Sequence, residues 1–230
     1  MSHVLQHRRK AFRTTEVGTN PGTGDLVAWY DFNDTVAGEG NDDSHSTFDL
    51  NEVNTPTYVT TSPEHAVCAS TAHLTSTTLD SNFGDVDGDW SYVFRFKWNT
   101  TRPSFKEVID GAGTRHYIRL ISPLTYRVRI VGITFIPLTV AGNLDGVWTT
   151  VVATFDSVAN EGKAYLTNEG LSGTDAHAGS FSTGTFLFGD TSNSFDLDFA
   201  GFWNKTLTDE NADWFGQGTS ESLHKNFSDL

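Results

Sequence analysis

The sequence predicts an all-β chain, two antiparallel sheets packed as a sandwich, with one short helix near the C terminus. The composition points there first: aromatic residues make up 13% of the chain, Gly is frequent, and there is one Met. Thr, Ser, Asn and Asp abound and no long Leu-rich periodic run occurs, which favours short strands joined by turns. Residues 90–98, WSYVFRFKW, supply the second observation. Trp90, Tyr92, Phe94, Phe96 and Trp98 fall on one face and Ser91, Val93, Arg95 and Lys97 on the other, the two-residue period of a strand with a core side and a solvent side. Third, 230 residues suit one sandwich without division into domains.

The elements follow in order. Residues 14–24, TTEVGTNPGTG, carry turn chemistry and read as a linker, so the folded domain is expected to span 25–216, between a basic arm and linker (1–24) and a C-terminal tail (217–230). Leu26 to Phe32 reads as the opening strand, and a polar loop leads through Ser44 into TFDLNEV. After the aromatic strand come HYIRLIS, LTYRVRIV and ITFIPLTV; in the second, Tyr126, Val128 and Ile130 oppose Arg127, Arg129 and Val131. VWTTVVATFD, a hairpin from Tyr165 to Gly170, and FSTGTFLFG follow. In the last strand Phe195, Leu197, Phe199 and Gly201 alternate with Asp196, Asp198, Ala200 and Phe202. Thr208 is placed to cap a short helix with Asp209 and Glu210 in its first turn, favourable against the helix dipole, and Gly216 and Gly218 stop it.

Charge is unevenly spread. The net charge is −14, yet Arg8, Arg9, Lys10 and Arg13 precede every acidic residue. An anionic body repels phosphates, which excludes general nucleic-acid binding by the folded part; the basic arm is left to meet an acidic partner. Cys68 is the single cysteine, so neither an intrachain disulfide nor a thiolate-rich zinc site can be built from this chain, and a buried apolar role is expected for it. No run approaches the ~18 apolar residues of a membrane span, and MSHVLQHRRKAFRTT has basic residues without the apolar core of a signal peptide. Neither a signal peptide nor a membrane partner is expected.

Three ordered motifs carry a family resemblance. They are Trp148-Thr149-Thr150-Val151-Val152-Ala153-Thr154-Phe155-Asp156; Tyr165-Leu166-Thr167-Asn168, with Gly170 delayed by Glu169; and Leu197-Asp198-Phe199-Ala200-Gly201-Phe202-Trp203-Asn204 running to Leu207-Thr208. At these separations the chain resembles the laminin-G-like, concanavalin A-like jelly roll over residues 25–216, most sharply in its second half. The resemblance implies a module that binds or builds rather than catalyses. It also implies calcium, which many such domains hold with acids of the opening loop and of the last sheet strand: here Asp31, Asn33, Asp34, Asp42, Asp43 and Asp198. Convergent oxygens at 2.3–2.6 Å are what such a hard cation requires; a solvated acidic loop is the alternative. Trp90, Trp98, Trp148 and Trp203 read as core rings, with sugar stacking as the other use of such rings.

Catalytic patterns are missing from the sequence. There is no G-x-S-x-G elbow, H-E-x-x-H, P-loop or G-x-G-x-x-G, and Glu107-Val108-Ile109-Asp110 lacks the spacing and second Glu of jelly-roll glucanases. Asp85-Val86-Asp87-Gly88-Asp89 resembles the start of a calcium loop, but its glycine is misplaced and Phe96 stands where a Glu belongs, so it reads as a turn. No enzyme is expected.

A short basic opening, a Thr/Gly/Pro linker and one laminin-G-like domain together resemble virion proteins of tailed bacteriophages. That resemblance implies a structural role in a particle assembled in host cytoplasm, as a capsid decoration or tail-surface protein and a member of an oligomeric assembly. Its arm (Arg8, Arg9, Lys10, Phe12, Arg13) would bind other virion proteins, and its jelly roll would face a host-surface glycan. The alternative is a carbohydrate-binding module or lectin, calcium-dependent if the acidic loop is its site.

Overall fold

The computed structural model describes residues 8–9, 18–32, 48–54, 56–61, 63–69, 72–76, 79, 88–99, 106–111, 117–122, 124–129, 135–176, 186–188, 194–216 and 224–230. The strands are β1 (Arg8–Arg9), β2 (Leu26–Tyr30), β3 (Asn51–Val53), β4 (Thr57–Val59), β5 (His65–Cys68), β6 (His73–Ser76), β7 (Trp90–Trp98) and β8 (Lys106–Gly111). They continue with β9 (Tyr117–Ser122), β10 (Thr125–Arg129), β11 (Ile136–Thr139), β12 (Thr149–Asp156), β13 (Glu161–Leu166), β14 (Leu171–Ala176), β15 (Phe186–Phe188) and β16 (Phe195–Trp203). One helix, α1 (Asp209–Phe215), follows β16.

Among the described residues the strands form two antiparallel sheets. The first runs β1-β14-β13-β12-β7-β16-β5-β4, with β2 also paired to β16; the second runs β11-β10-β9-β8-β15-β6-β3. Among the described residues the fold is the all-β sandwich that the sequence predicts, with the short helix α1 near the C terminus. Between the sheets lie the predicted inward rings of β7, Trp90, Tyr92, Phe94, Phe96 and Trp98, together with Tyr126, Val128, Ile136 and Phe202. Edge-on pairs such as Phe94 against Phe202, centroids 5.5 Å apart at 84°, are a favoured aromatic geometry. Cys68 is fully buried in this core; burial, reinforced by nearby Asp196, raises its thiol pKa to about 12 and leaves it inert.

The outer face of β7 departs from the sequence reading. Ser91, Val93 and Arg95 are each 0% exposed, because a third layer covers them. Trp29, Val93, Val152, Tyr165, Phe199, Trp203, Leu207, Ala212 and Phe215 form a second apolar cluster, with Trp214, Phe227 and Leu230 packed against it. Helix α1 and the C-terminal residues thus lie over the first sheet. The helix begins as predicted: the Thr208 hydroxyl accepts from the Asn211 amide, and the Asn211 side chain reciprocates in a capping box. Residues that read as linker are part of this layer too. The Thr19 amide donates to Glu210 O at 3.1 Å and the Trp203 indole to Gly22 O at 3.1 Å. A Cβ on Gly18 would collide with the backbone of Trp214.

Phe199 is the second departure. The register of β16 on β7 shifts between Leu197 and Phe199, a bulge that leaves two consecutive side chains on one face. Asp198 and Phe199 therefore both point outward, and from Ala200 onward the alternation is inverted. Ala200 and Phe202 enter the core while Phe199 and Trp203 join the outer cluster. Gly201, between them, fits because a Cβ there would stand 2.5 Å from the Trp29 ring.

The basic segment shows a third difference. Arg8–Arg9 pairs antiparallel with Leu171–Ser172 of β14, so these two residues extend the edge of the chain's own sheet rather than standing away from it. Lys10, Phe12 and Arg13 lie outside the described residues.

One turn makes an acid-sensitive joint. Asp89 accepts from the Ser157 amide at 2.8 Å and the Ser157 hydroxyl at 2.6 Å. Burial works to raise its pKa, but these bonds and one from Thr206 outweigh it and hold the carboxyl below its ordinary value. A depressed acid contributes stability that is present above its unfolded pKa of ~3.9 and lost as pH falls through the folded one. Asp89→Asn is therefore expected to flatten the loss of stability on acidification from pH 5 to 3, read from urea midpoints at each pH; an unchanged slope would contradict the assignment.

Candidate functional site

Where the third layer ends, the outer face of the first sheet becomes polar. Four segments distant in sequence meet there because β16 lies between β5 and β7 while β12 lies on the far side of β7. They contribute His65 (β5), Arg95 and Lys97 (β7), Trp148 at the entrance to β12, and Asp196 and Asp198 (β16). Asp196 sits beside Lys97 in register, Cα partner to Cα partner. The Lys97 ammonium lies 2.7 Å from the Asp196 carboxylate, and His65 Nε2 lies 3.4 Å from it. The Asn99 side-chain amide donates to the other oxygen.

Trp148 is half-buried and framed by cations. The Lys97 ammonium lies 4.7 Å and the Arg95 guanidinium 4.8 Å from its ring centre, and the His65 ring meets it edge-on at 5.5 Å. Cations over an indole face are attracted by the ring quadrupole. The Asn168 side chain donates to the Trp148 carbonyl at 3.5 Å and accepts from the Thr150 amide at 3.3 Å, joining the entrance of β12 to the turn after β13. Gly170 ends that turn at φ 59, a left-handed conformation that glycine adopts without a Cβ penalty. The hairpin motif in the sequence thus positions the ring.

Beneath the ring runs a buried charge chain. Arg95 and Asp198, both fully buried, form an ion pair, and Asp198 also meets His224 Nδ1. His224 Nε2 faces Asn226 Oδ1 at 2.8 Å, and the Phe227 amide donates to Asp31 at 2.9 Å. Burial lowers the Arg95 pKa to about 10, still far above neutrality, so the guanidinium stays charged opposite Asp198. This chain fastens the C-terminal residues to the sheet and fixes Arg95 under Trp148.

Of the residues that the family resemblance offers to calcium, Asp31 and Asp198 fall within the described residues. Asp198 is paired with Arg95, and Asp31 accepts the Phe227 amide. Asn33, Asp34, Asp42 and Asp43 lie outside the described residues. No cluster of three or more His, Cys, Asp or Glu suited to a metal occurs among the described residues. Trp90, Trp98 and Trp203 are buried rings; of the four tryptophans singled out in the sequence, Trp148 alone reaches the surface. His65, Lys97, Asn99 and Asp196 carry no motif in the sequence. The signal available was the outward position of Lys97 beside the Trp-led strand.

No protein-family model matches the chain, and no curated protein matches its sequence. Solved structures do resemble it in fold. The binding domain of botulinum neurotoxin DC, solved in complex with rat synaptotagmin II, aligns with a TM-score of 0.66 at 15% identity over 87% of this chain and 52% of that one. The binding domain of Paraclostridial Mosquitocidal Protein 1 aligns at 0.66 and 10% over 84% and 52%. A botulinum neurotoxin type C structure, whose cell entry depends on interaction with two ganglioside molecules, aligns at 0.63 and 14% over 88% and 52%. The chain spans about half the length of these structures. At such identities the likeness is one of fold, a β-sandwich shared with these toxin binding domains.

Proposed function

We propose that the chain is a non-catalytic recognition module whose ligand is a cell-surface glycan, held at the Trp148 corner. The half-exposed ring of Trp148, with Lys97, Asp196 and Asn99 fixed around it, carries this reading. An indole face stacks on the apolar side of a sugar ring, while a positioned ammonium, carboxylate and amide exchange hydrogen bonds with its hydroxyls. Specificity arises because a mismatched sugar leaves those groups unpaired. Fold neighbours point the same way, since they include toxin binding domains and one toxin whose cell entry depends on gangliosides.

Trp148→Ala is expected to lower glycan affinity at least about tenfold, the scale of a lost aromatic anchor, with the fold retained. Glycan-array binding of the two proteins, with and without chelator, checks this. Because Asp198 is already neutralised, the signal is expected to survive the chelator. Undiminished binding by Trp148→Ala would contradict the site.

The second reading sets this module on a bacteriophage particle, as a capsid decoration or tail-surface protein tethered by Arg8, Arg9, Lys10, Phe12 and Arg13. Two features favour it: the basic opening of an otherwise acidic chain, and the shortness of β1, since a two-residue strand on the β14 edge is a contact that a partner's strand can replace. Removal of residues 1–15 should leave glycan binding intact and abolish incorporation into particles; retained incorporation would overturn the tether.

A further inference from the structure

A second concave site lies elsewhere on the outer face of the first sheet, where β12 and β13 meet the segment entering α1. Its volume is about 310 Å³, at the small end of ligand pockets. Thr154 and Lys163, register partners, line it with Tyr165. Asp156 and Glu161, also register partners, and Asp209 and Glu210 give it four carboxylates against one ammonium.

The single cation is already committed. Asp209 Oδ1 accepts from Lys163 Nζ at 3.0 Å and from the Tyr165 hydroxyl at 2.7 Å, and burial together with Asp209 raises the Tyr165 pKa and keeps that hydroxyl protonated. Asp156 spends Oδ1 on the amides of Val158 and Ala159. Glu161 makes no ion pair with a described residue, yet it faces Asp156 directly across the ladder, where like charges are unfavourable. Thr154 is 1% exposed and lines the cleft, and its hydroxyl has no hydrogen-bond partner among the described residues. That hydroxyl opens onto the cleft, where a polar ligand atom can take up its free hydrogen-bonding capacity.

We propose that this cleft binds a saccharide bearing a primary ammonium group. The ammonium would lie between Glu161 and Asp156, relieving their repulsion, and ring hydroxyls would meet Thr154, Thr206 and Tyr165. Leu207 is the one aliphatic residue lining it, so the walls match a polyhydroxylated cation better than an alkyl amine. The site is separate from the Trp148 corner and stands or falls without it.

The test is an NMR titration of the full chain with D-glucosamine, with D-glucose, N-acetyl-D-glucosamine and cadaverine as comparators. Glucosamine is expected to shift the resonances of Thr154, Glu161 and Lys163 and to bind at least about tenfold tighter than either neutral sugar, the scale of one charge-assisted bond. It should bind tighter than cadaverine as well. Glu161→Gln, isosteric and expected to keep the wild-type melting temperature, should erase that preference, and Trp148→Ala should leave it intact. Equal affinity for the neutral sugars, tighter binding of cadaverine, or a Glu161→Gln protein that still prefers glucosamine would overturn the proposal.

Discussion

Arg95→Met is expected to cost about 3–5 kcal/mol of folding stability, because it strands the Asp198 carboxylate inside the protein. Both partners are fully buried, and the remaining contact to Asp198 comes from His224, near the end of the chain. Breaking a buried pair from one side leaves an uncompensated charge, whereas replacing both partners with apolar residues of similar size is often neutral. The double variant Arg95→Met/Asp198→Leu should therefore recover most of the loss. Urea denaturation of the two single variants and the double variant measures this directly. A loss below about 1 kcal/mol in Arg95→Met, the range of exposed ion pairs, would show that the network is open to water.

The other large effect is expected at Trp29. Its ring stacks on Phe199 at 5.1 Å, meets Trp203 edge-on at 6.0 Å and lies 6.5 Å from Phe215 of α1. Trp29→Ala removes a fully buried ring from between the sheet and its cover, and ring deletions in cores cost about 3–5 kcal/mol. Were this face a solvent face, the same substitution would change stability by roughly 0.5 kcal/mol or less. Chemical denaturation separates these values. A near-neutral Trp29→Ala would mean that α1 and the C-terminal residues do not form a packed layer.

Trp29 also shows where a sequence stops being readable. The inner face of β7 was legible because five aromatic residues repeat with period two inside nine residues, a local pattern that one strand carries by itself. Its outer face was not. Ser91 and Arg95 look solvent-facing by polarity, but Ser91 donates to Lys205 O at 2.7 Å and accepts from the Leu207 amide at 2.8 Å, and Arg95 pairs with Asp198. Each partner lies more than one hundred residues away in the chain, so no local window contains the cover. The bulge after Leu197 was hidden for a related reason: FDLDFAGFW alternates acceptably in either register, and packing decides which one is used.

The helix was readable from one end, since Thr208 and the two acids after it are a local signal. For the candidate site, the motif around Trp148 and the final-strand Asp198 were visible, but not their roles. Asp198, which the family resemblance offers to calcium, faces Arg95, three residues short of the end of β7. His65, Lys97, Asn99 and Asp196 gather only through the order β12-β7-β16-β5, a product of the whole topology.

If the Trp148 corner is where this fold meets a ligand, the indole N–H resonances of the protein report the contact. The chain has six tryptophans, and Trp29, Trp90, Trp98 and Trp203 are buried. Titration with a glycan that the protein binds and that carries no ammonium group should shift the Trp148 indole signal progressively and leave those four in place. Saturation of binding with the Trp148 signal unmoved would place the ligand elsewhere on the protein.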